Sequence, residues 1–374
     1  MGVLNGTRVV ELAGIGPGPF CGLLLADMGA DVILVEHPRG PTGSAPDLGP
    51  AAIVHRGKRS VALDLKQTAG KRALAELAAS ADALIEGMRP GVMERLGAGP
   101  DDLLRLNPRL VYGRATGWGQ HGPLASAAGH DLNYIGLSGA LWFAGAPGNL
   151  PVTPATLLGD VGGGALYLAL GIVAALLHVK SGGTGQVIDA AIVDGSAHMM
   201  NLLLSVHAAG LQPFERGRGL LDGPHWVGSY ACADGKLVCL SPLEPQFNAL
   251  LWQRLGLADD PLFARPYDPA TYADARERLR AVFASRPRQH WIDLLEGSDA
   301  CFAPVLDPQE AQQHPHLAAR HVYAHIDGLL QAAPAPRFSA TPSPFGRPIP
   351  IRGAHTQEVM VALGWSDAQI AALA

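Results

Sequence analysis

Apolar positions in the first half of the chain switch between two periods. Residues 8–12 (Arg-Val-Val-Glu-Leu) form a short apolar run that reads as a strand, followed by the loop Gly14-Ile15-Gly16-Pro17-Gly18-Pro19. Apolar residues then recur at helical spacing over 21–28, Gly29 stops the pattern, and residues 31–36 read as a second strand. Further strands are expected at 83–85 and 110–112, and 186–193 reads as another strand or a strand-helix junction. A helical pattern occupies 70–79, and another helix runs from the last strand to residue 209. Strands alternating with helices in this way predict an α/β fold, a doubly wound parallel sheet.

The pattern changes after Gly210. Asp234-Gly235 lies between alternating apolar runs over 230–240, the signature of a hairpin. Helical spacing follows at 246–255, 272–284 and 289–296. These elements predict a smaller α+β domain at 218–320, inserted into a large domain made of 1–190 and 325–374, with a linker helix at 191–217 and a linker at 321–330. Residues 331–350, rich in proline and alanine, predict an extended arm, and a last helix is expected at 357–363. Residues 161–177 are apolar or glycine throughout, the lower limit for a membrane span. The run lacks flanking basic clusters and an aromatic belt, so a buried core helix is the expectation, with no membrane insertion.

Composition adds limits. A chain of 374 residues is too long for one ordinary core, and 48% apolar against 16% charged residues supplies ample buried material. The net charge of -5 comes from interspersed signs, which argues against a nucleic-acid partner. Cys21, Cys232, Cys239 and Cys301 show no metal or disulfide spacing, and residues 1–7 lack the pattern of a secretory leader. A reduced, cytoplasmic compartment is the expectation.

Candidate chemistry concentrates in two glycine-flanked segments, Gly129-His130-Asp131-Leu132-Asn133-Tyr134 and Gly159-Asp160-Val161-Gly162-Gly163-Gly164. Each puts one proton-handling side chain before an apolar, helical stretch. A histidine and a carboxylate presented from two helix starts could flank one carbon atom. Seen alone, His130 also reads as a structural histidine and Asp160 as a helix N-cap. The loop at 14–19, with Glu36 ending the next strand, resembles a dinucleotide-binding fingerprint. Pro17 and Pro19, however, remove two backbone donors that a pyrophosphate would need, which favours a tight turn with proline in the first helical turn. Basic residues cluster at His55-Arg56-Gly57-Lys58-Arg59 through Lys66 and again at Arg89 and Arg95. Arginines near helix starts suit phosphate oxygens, and a solvated charged face is the other reading. His314, His316, His321 and His325 have helical spacing but no accompanying carboxylate or thiol set, so no metal is expected.

Taken together, these segments resemble the alpha-methylacyl-CoA racemases of the class III CoA-transferase superfamily. The likeness continues through Thr116-Gly117-Trp118-Gly119-Gln120, Gly185-Gln186-Val187-Ile188-Asp189, Leu243-Glu244-Pro245-Gln246-Phe247, Asp299 to Val305 and Pro334 to Ser339. The resemblance implies a large Rossmann-like domain built from both chain ends with a smaller domain between, and two chains threaded through each other as an interlocked homodimer. It implies that Arg56, Lys58, Arg59, Arg89 and Arg95 hold the phosphates and adenosine end of coenzyme A. The implied contact surface also takes in Ile15, Ala62, Leu63, Leu65, Gly87, Met88, Gly129, Asn133 and Tyr134. Where relatives often carry an arginine before a proline, this chain has His37-Pro38, and whether Arg39 substitutes is left open.

His130 and Asp160 correspond to the two acid/base residues of that family, and Glu244 to the acid that orients the histidine. The backbone N–H of Asp131, at a helix start, is the candidate donor to an enolate oxygen. An acyl-CoA substrate and no resident cofactor are implied, coenzyme A being part of the substrate. Two rivals remain at this level. In a CoA-transferase Asp160 would attack the thioester as nucleophile, and transferases of this class usually have an aromatic residue where His130 stands. The third is a non-catalytic CoA-binding protein.

Overall fold

The computed structural model describes residues 2–41, 46–146 and 148–373. The chain divides into two compact units. The first comprises residues 1–140, 154–199 and 323–374, and the second 141–153 and 200–322.

The first unit is built on six parallel strands: β1 (Arg8–Leu12), β2 (Asp31–Glu36), β3 (Arg59–Ala62), β4 (Ala83–Glu86), β5 (Val111–Thr116) and β6 (Gln186–Ala191). Their order is β3-β2-β1-β4-β5-β6, the doubly wound arrangement predicted from the alternating periods. The strands are apolar on both faces because helices cover both. On one face Val10, Leu12, Ile33, Val35, Leu84 and Tyr112 pack with Leu74 and Leu77 of the helix Thr68–Ala79 and Met360 of the helix Thr356–Ala362. On the other, Val9, Val32, Ile85 and Val111 pack with Leu25 of the helix Pro17–Asp27 and Leu168 and Ile172 of the helix Leu166–Lys180. The alternation Val9, Val10 between the two cores is the period-two signature of a strand.

Reversal of strand order between β1 and β4 opens a crevice at the carboxyl ends of the strands, where α/β proteins bind their ligands. The loops carrying Ile15, Gly87 and Arg89 leave the sheet there.

The apolar run at 161–177 is helical but not uniformly buried. Leu157–Ala165 is wound as a π-helix and continues as the α-helix Leu166–Lys180. Together these are long and apolar enough to cross a membrane. Leu168, Ile172, Leu176 and Val179 face the sheet, while Leu166, Leu170 and Leu177 are exposed. The expected core helix is therefore buried on one side only.

The second unit holds an antiparallel sheet of β7 (Gly228–Ala231), β8 (Leu237–Leu240) and β9 (Phe302–Val305). The hairpin expected around Asp234-Gly235 joins β7 to β8, and Trp226, Tyr230, Val238, Leu251 and Phe283 form its core. The stretch 191–217, expected as a linker helix, holds two helices, Ile192–Met199 and Asn201–Ala208. Residues 192–199 form a helix in the first unit, whose Gly195 lies so close to Gly163 that a methyl there would overlap the Gly163 carbonyl. Residues 200–217 belong to the second unit, along with 141–153. Arg216 ties them together by donating to the carbonyls of Asn149, Ala144, Gly145 and Ala146. The region expected to be a linker at 321–330 contributes to a hairpin of β10 (Tyr323–Ile326) and β11 (Leu329–Ala332) in the first unit.

Candidate active site

Two helix starts meet in the first unit. His130 is extended (φ -136, ψ 174) and immediately precedes the helix Asp131–Leu137. Its backbone N–H donates to Asn133 Oδ1 at 3.0 Å, so Asn133 serves the turn as a capping acceptor. The imidazole is exposed.

Asp131, the first residue of that helix, is buried, and its Oδ1 accepts the N–H groups of Gly159 at 2.8 Å and Asp160 at 2.7 Å. Asp160 therefore sits in the first turn of the π-helix, not at its N-cap, as its sequence position had suggested. The N-cap is Thr156, held at φ 64, a left-handed conformation that a β-branched residue rarely adopts. The glycines explain the fit. A methyl at Gly159 would overlap Asp131 Oδ1, and one at Gly16 (φ 71) would stand 3.3 Å from the Asp160 carboxyl carbon. The loop after β1 is thus a turn that closes against Asp160. Pro17 opens the following helix, the arrangement favoured over a pyrophosphate cradle.

Electrostatics follow from this packing. Burial, and then the Asp131 charge, push the Asp160 carboxyl up to about 6, with His130 opposing them. Tyr134, one turn into the same helix as Asp131, packs edge-on against Trp118 with ring centroids 4.7 Å apart and donates its hydroxyl to the Gly129 carbonyl. Its phenol is raised by burial and by Asp160, and lowered by Arg89.

The cations separate into two groups. Arg89 and Arg95 are exposed beside the carboxyl end of β4, and Arg39 is exposed beyond β2; none of the three forms an ion pair among the described residues. Arg56, Lys58 and Arg59 are different. They lie at the start of β3, away from the strand ends that carry the other candidates, and each has an internal partner. Arg56 is buried against Asp27 at 2.6 Å and donates to Gln331 and Ala332. Lys58, fully buried, meets Glu11 at 2.6 Å and donates to the Pro19 carbonyl at 3.0 Å. Arg59 pairs with Asp31 at 2.5 Å and with Glu358 at 2.9 Å. These three were expected to hold phosphate; in the structure each is engaged within the fold, Arg56 and Lys58 by a carboxylate and by carbonyl oxygens and Arg59 by two carboxylates.

Among the remaining candidates, Ile15 is exposed and Gly87 and Gly129 are accessible. Ala62 is half-buried with its N–H bonded to Thr356 Oγ1. Leu63 is buried in the core, and Leu65 and Met88, partly buried, pack against it. Glu244 heads the helix Pro245–Leu255 in the second unit, exposed and without a capping hydrogen bond. Its charge reaches Tyr267, whose hydroxyl donates to the Leu243 carbonyl at 2.8 Å. No group of three metal-ligating side chains gathers among the described residues, and His314 instead bonds Glu296 at 2.8 Å. Sequence reasoning missed the side chain of Asp131 as the link between the two helix starts; the paired glycine at 159 was its only signal.

A family model described as CoA-transferase family III matches residues 4–356, and the chain belongs to that family. It is 42% identical over 373 residues to alpha-methylacyl-CoA racemase of Mus musculus, covering 98% of this chain and 95% of the relative. Identity to alpha-methylacyl-CoA racemase of Homo sapiens is 40% over 371 residues, with the same coverage. The crystal structure of a CAIB/BAIF family protein from Brucella suis superposes with a TM-score of 0.80 at 27% identity, over 97% of this chain and 99% of that one.

Proposed function

We propose that this protein is a racemase that interconverts the (R) and (S) forms of 2-methylacyl-CoA thioesters by moving the α-proton through an enolate. The observation that carries this reading is the pair of proton carriers, His130 and Asp160, presented from two helix starts that Asp131 joins. The α-carbon of a thioester is weakly acidic, so its deprotonation needs a positioned base and a donor for the charge that moves onto oxygen. One carrier removes the proton from one face and the other returns a proton to the opposite face. A carboxyl pushed up to about 6 exchanges protons readily near neutrality, as a group acting in both directions must. The Asp131 N–H, in the first turn and so without an intrahelical acceptor, is assigned to the enolate oxygen. The thioester itself acidifies the carbon, so the scheme needs no resident cofactor.

Arg39, Arg89 and Arg95 are assigned the phosphates of coenzyme A, being exposed near the carboxyl ends of the strands and without an ion pair among the described residues. An interlocked homodimer is part of the same reading. The exposed Leu166, Leu170 and Leu177, spaced along one helix face, are surface that a second chain would bury.

The test is incubation of one enantiomer of a 2-methylacyl-CoA in deuterium oxide, following α-hydrogen exchange and optical purity. Exchange with loss of optical purity, in the absence of any acyl acceptor, is the expected result. Transfer of CoA to an added carboxylate without exchange would assign Asp160 the role of nucleophile and end the racemase reading. Binding with neither reaction would leave a CoA-binding protein.

A further inference from the structure

We propose that the side chain of Asp131 is a positioning residue that clamps the Asp160 turn onto the helix of His130. This rests on the racemase reading and extends it, because the role assigned to Asp131 there belongs to its backbone N–H alone. The geometry is a bridge. One carboxylate oxygen, carried by the first residue of the helix Asp131–Leu137, accepts two consecutive N–H groups, those of Gly159 and Asp160, at 2.8 and 2.7 Å. Those are donors of a helical first turn, which need an acceptor from outside their own helix. The residue following one proton carrier thus holds the backbone of the other. The carboxylate is buried, so the bonds are shielded from competing water. Gly159 has no side chain because a methyl there would overlap the accepting oxygen.

A carboxylate at this place also carries a charge toward Asp160. It is the second cause, after burial, of the raised Asp160 carboxyl, and His130 works against both. Three titratable groups come from the His130 segment: His130, Asp131 and Tyr134. The packed helix Ile192–Met199 bears Asp194, which is exposed, and His198, which shares a hydrogen bond with Tyr167 at 2.8 Å. The helix Pro17–Asp27 bears Cys21, whose thiol burial pushes up beyond its ordinary range. Of these groups only Asp131 both touches the Asp160 backbone and bears a like charge.

Asparagine is the discriminating substitution, since its carbonyl can accept the same two N–H groups while its charge is gone. In full-length Asp131→Asn, the Asp160 carboxyl, followed by 13C NMR and assigned with Asp160→Asn, should titrate lower than in the unsubstituted protein by roughly one unit. The corresponding limb of the kcat/KM pH profile should move the same way. Asp131→Ala, which loses the bonds as well, should lose about 100-fold in kcat with KM little changed, the scale of a small misplacement. An unmoved titration in Asp131→Asn, or an undiminished kcat in Asp131→Ala, overturns the proposal. The titration needs no turnover: a protein silent in α-exchange that still shows the displaced midpoint would sink the racemase reading and leave the clamp standing. Should the variants not fold, amide exchange in the unsubstituted protein decides, with slow exchange at Gly159 and Asp160 expected and fast exchange contrary to a clamp.

Discussion

Two sets of charged side chains in the first unit are built on opposite principles. Around the start of β3, Arg56, Lys58 and Arg59 each meet a carboxylate at 2.5–2.6 Å, and the Lys58–Glu11 pair is fully buried. At the two helix starts, His130 is exposed and Asp160 has no basic side chain bonded to it among the described residues. In the first set every cation is paired locally with a carboxylate. In the second the imidazole is exposed and the carboxyl half-buried, and hydrogen bonds to the backbones of His130 and Asp160 hold their turns in place. A charge paired within the fold supports the fold, whereas one kept unpaired and oriented is available for chemistry.

The sharpest test of this contrast is removal of the carriers. His130→Ala and Asp160→Ala should each lower α-proton exchange by about 10²–10⁴-fold, the usual worth of a positioned acid or base, with the melting transition still cooperative. Full activity in either variant would remove that residue from the mechanism.

On the other side of the contrast stands Lys58→Ala. It strands Glu11, already pushed up to about 7 by burial, without its ammonium partner, and breaking a buried pair in this way costs about 3–5 kcal/mol. Urea denaturation would read that loss; unchanged stability with loss of CoA affinity would instead make Lys58 a ligand residue. Arg89→Ala should do the reverse. Removing one charge-assisted contact to phosphate should raise KM roughly 10-fold, while stability stays within about 0.5 kcal/mol.

The smallest effect separates function from stability at a single residue. The Asp160 carboxyl is raised from its ordinary value of 3.8 to about 6 in the folded protein. The folded state therefore holds this proton more tightly than the unfolded one, and the associated stability is present below pH 4 and lost as pH rises through about 6. Asp160→Asn carries no such dependence. It should melt higher than the unsubstituted protein at pH 7, with the difference vanishing near pH 4. Parallel melting curves at both pH values would show that Asp160 is not raised.

Much of the architecture was legible because it rests on local patterns. The strand at 31–36 and the helices at 272–284 and 289–296 follow from apolar period and capping, and each matches an observed element to within about two residues. The hairpin at Asp234-Gly235 follows from turn chemistry. The helix over 161–177 was expected, but its π-helical first part was not legible, since the close approach of Gly195 to Gly163 and of Pro17 to Gly164 comes from elsewhere in the chain. The pairing of the basic segment was not legible for a related reason: a run of cations looks the same whether its partners are solvent, ligand or carboxylates from elsewhere in the chain.

By itself, then, the sequence determined the alternation of elements, the kinship written in the order of its segments, and the residue types able to carry a proton. These are properties of composition and short-range spacing. Only the tertiary structure decided which charges are spent and which are free, because the partners come from far along the chain. Arg56 reaches across 275 residues to Gln331, and Asp131 across 28 and 29 to the amides of Gly159 and Asp160. The same folding buries Asp160 beside a like charge and so moves its carboxyl toward neutrality, which no residue type specifies alone.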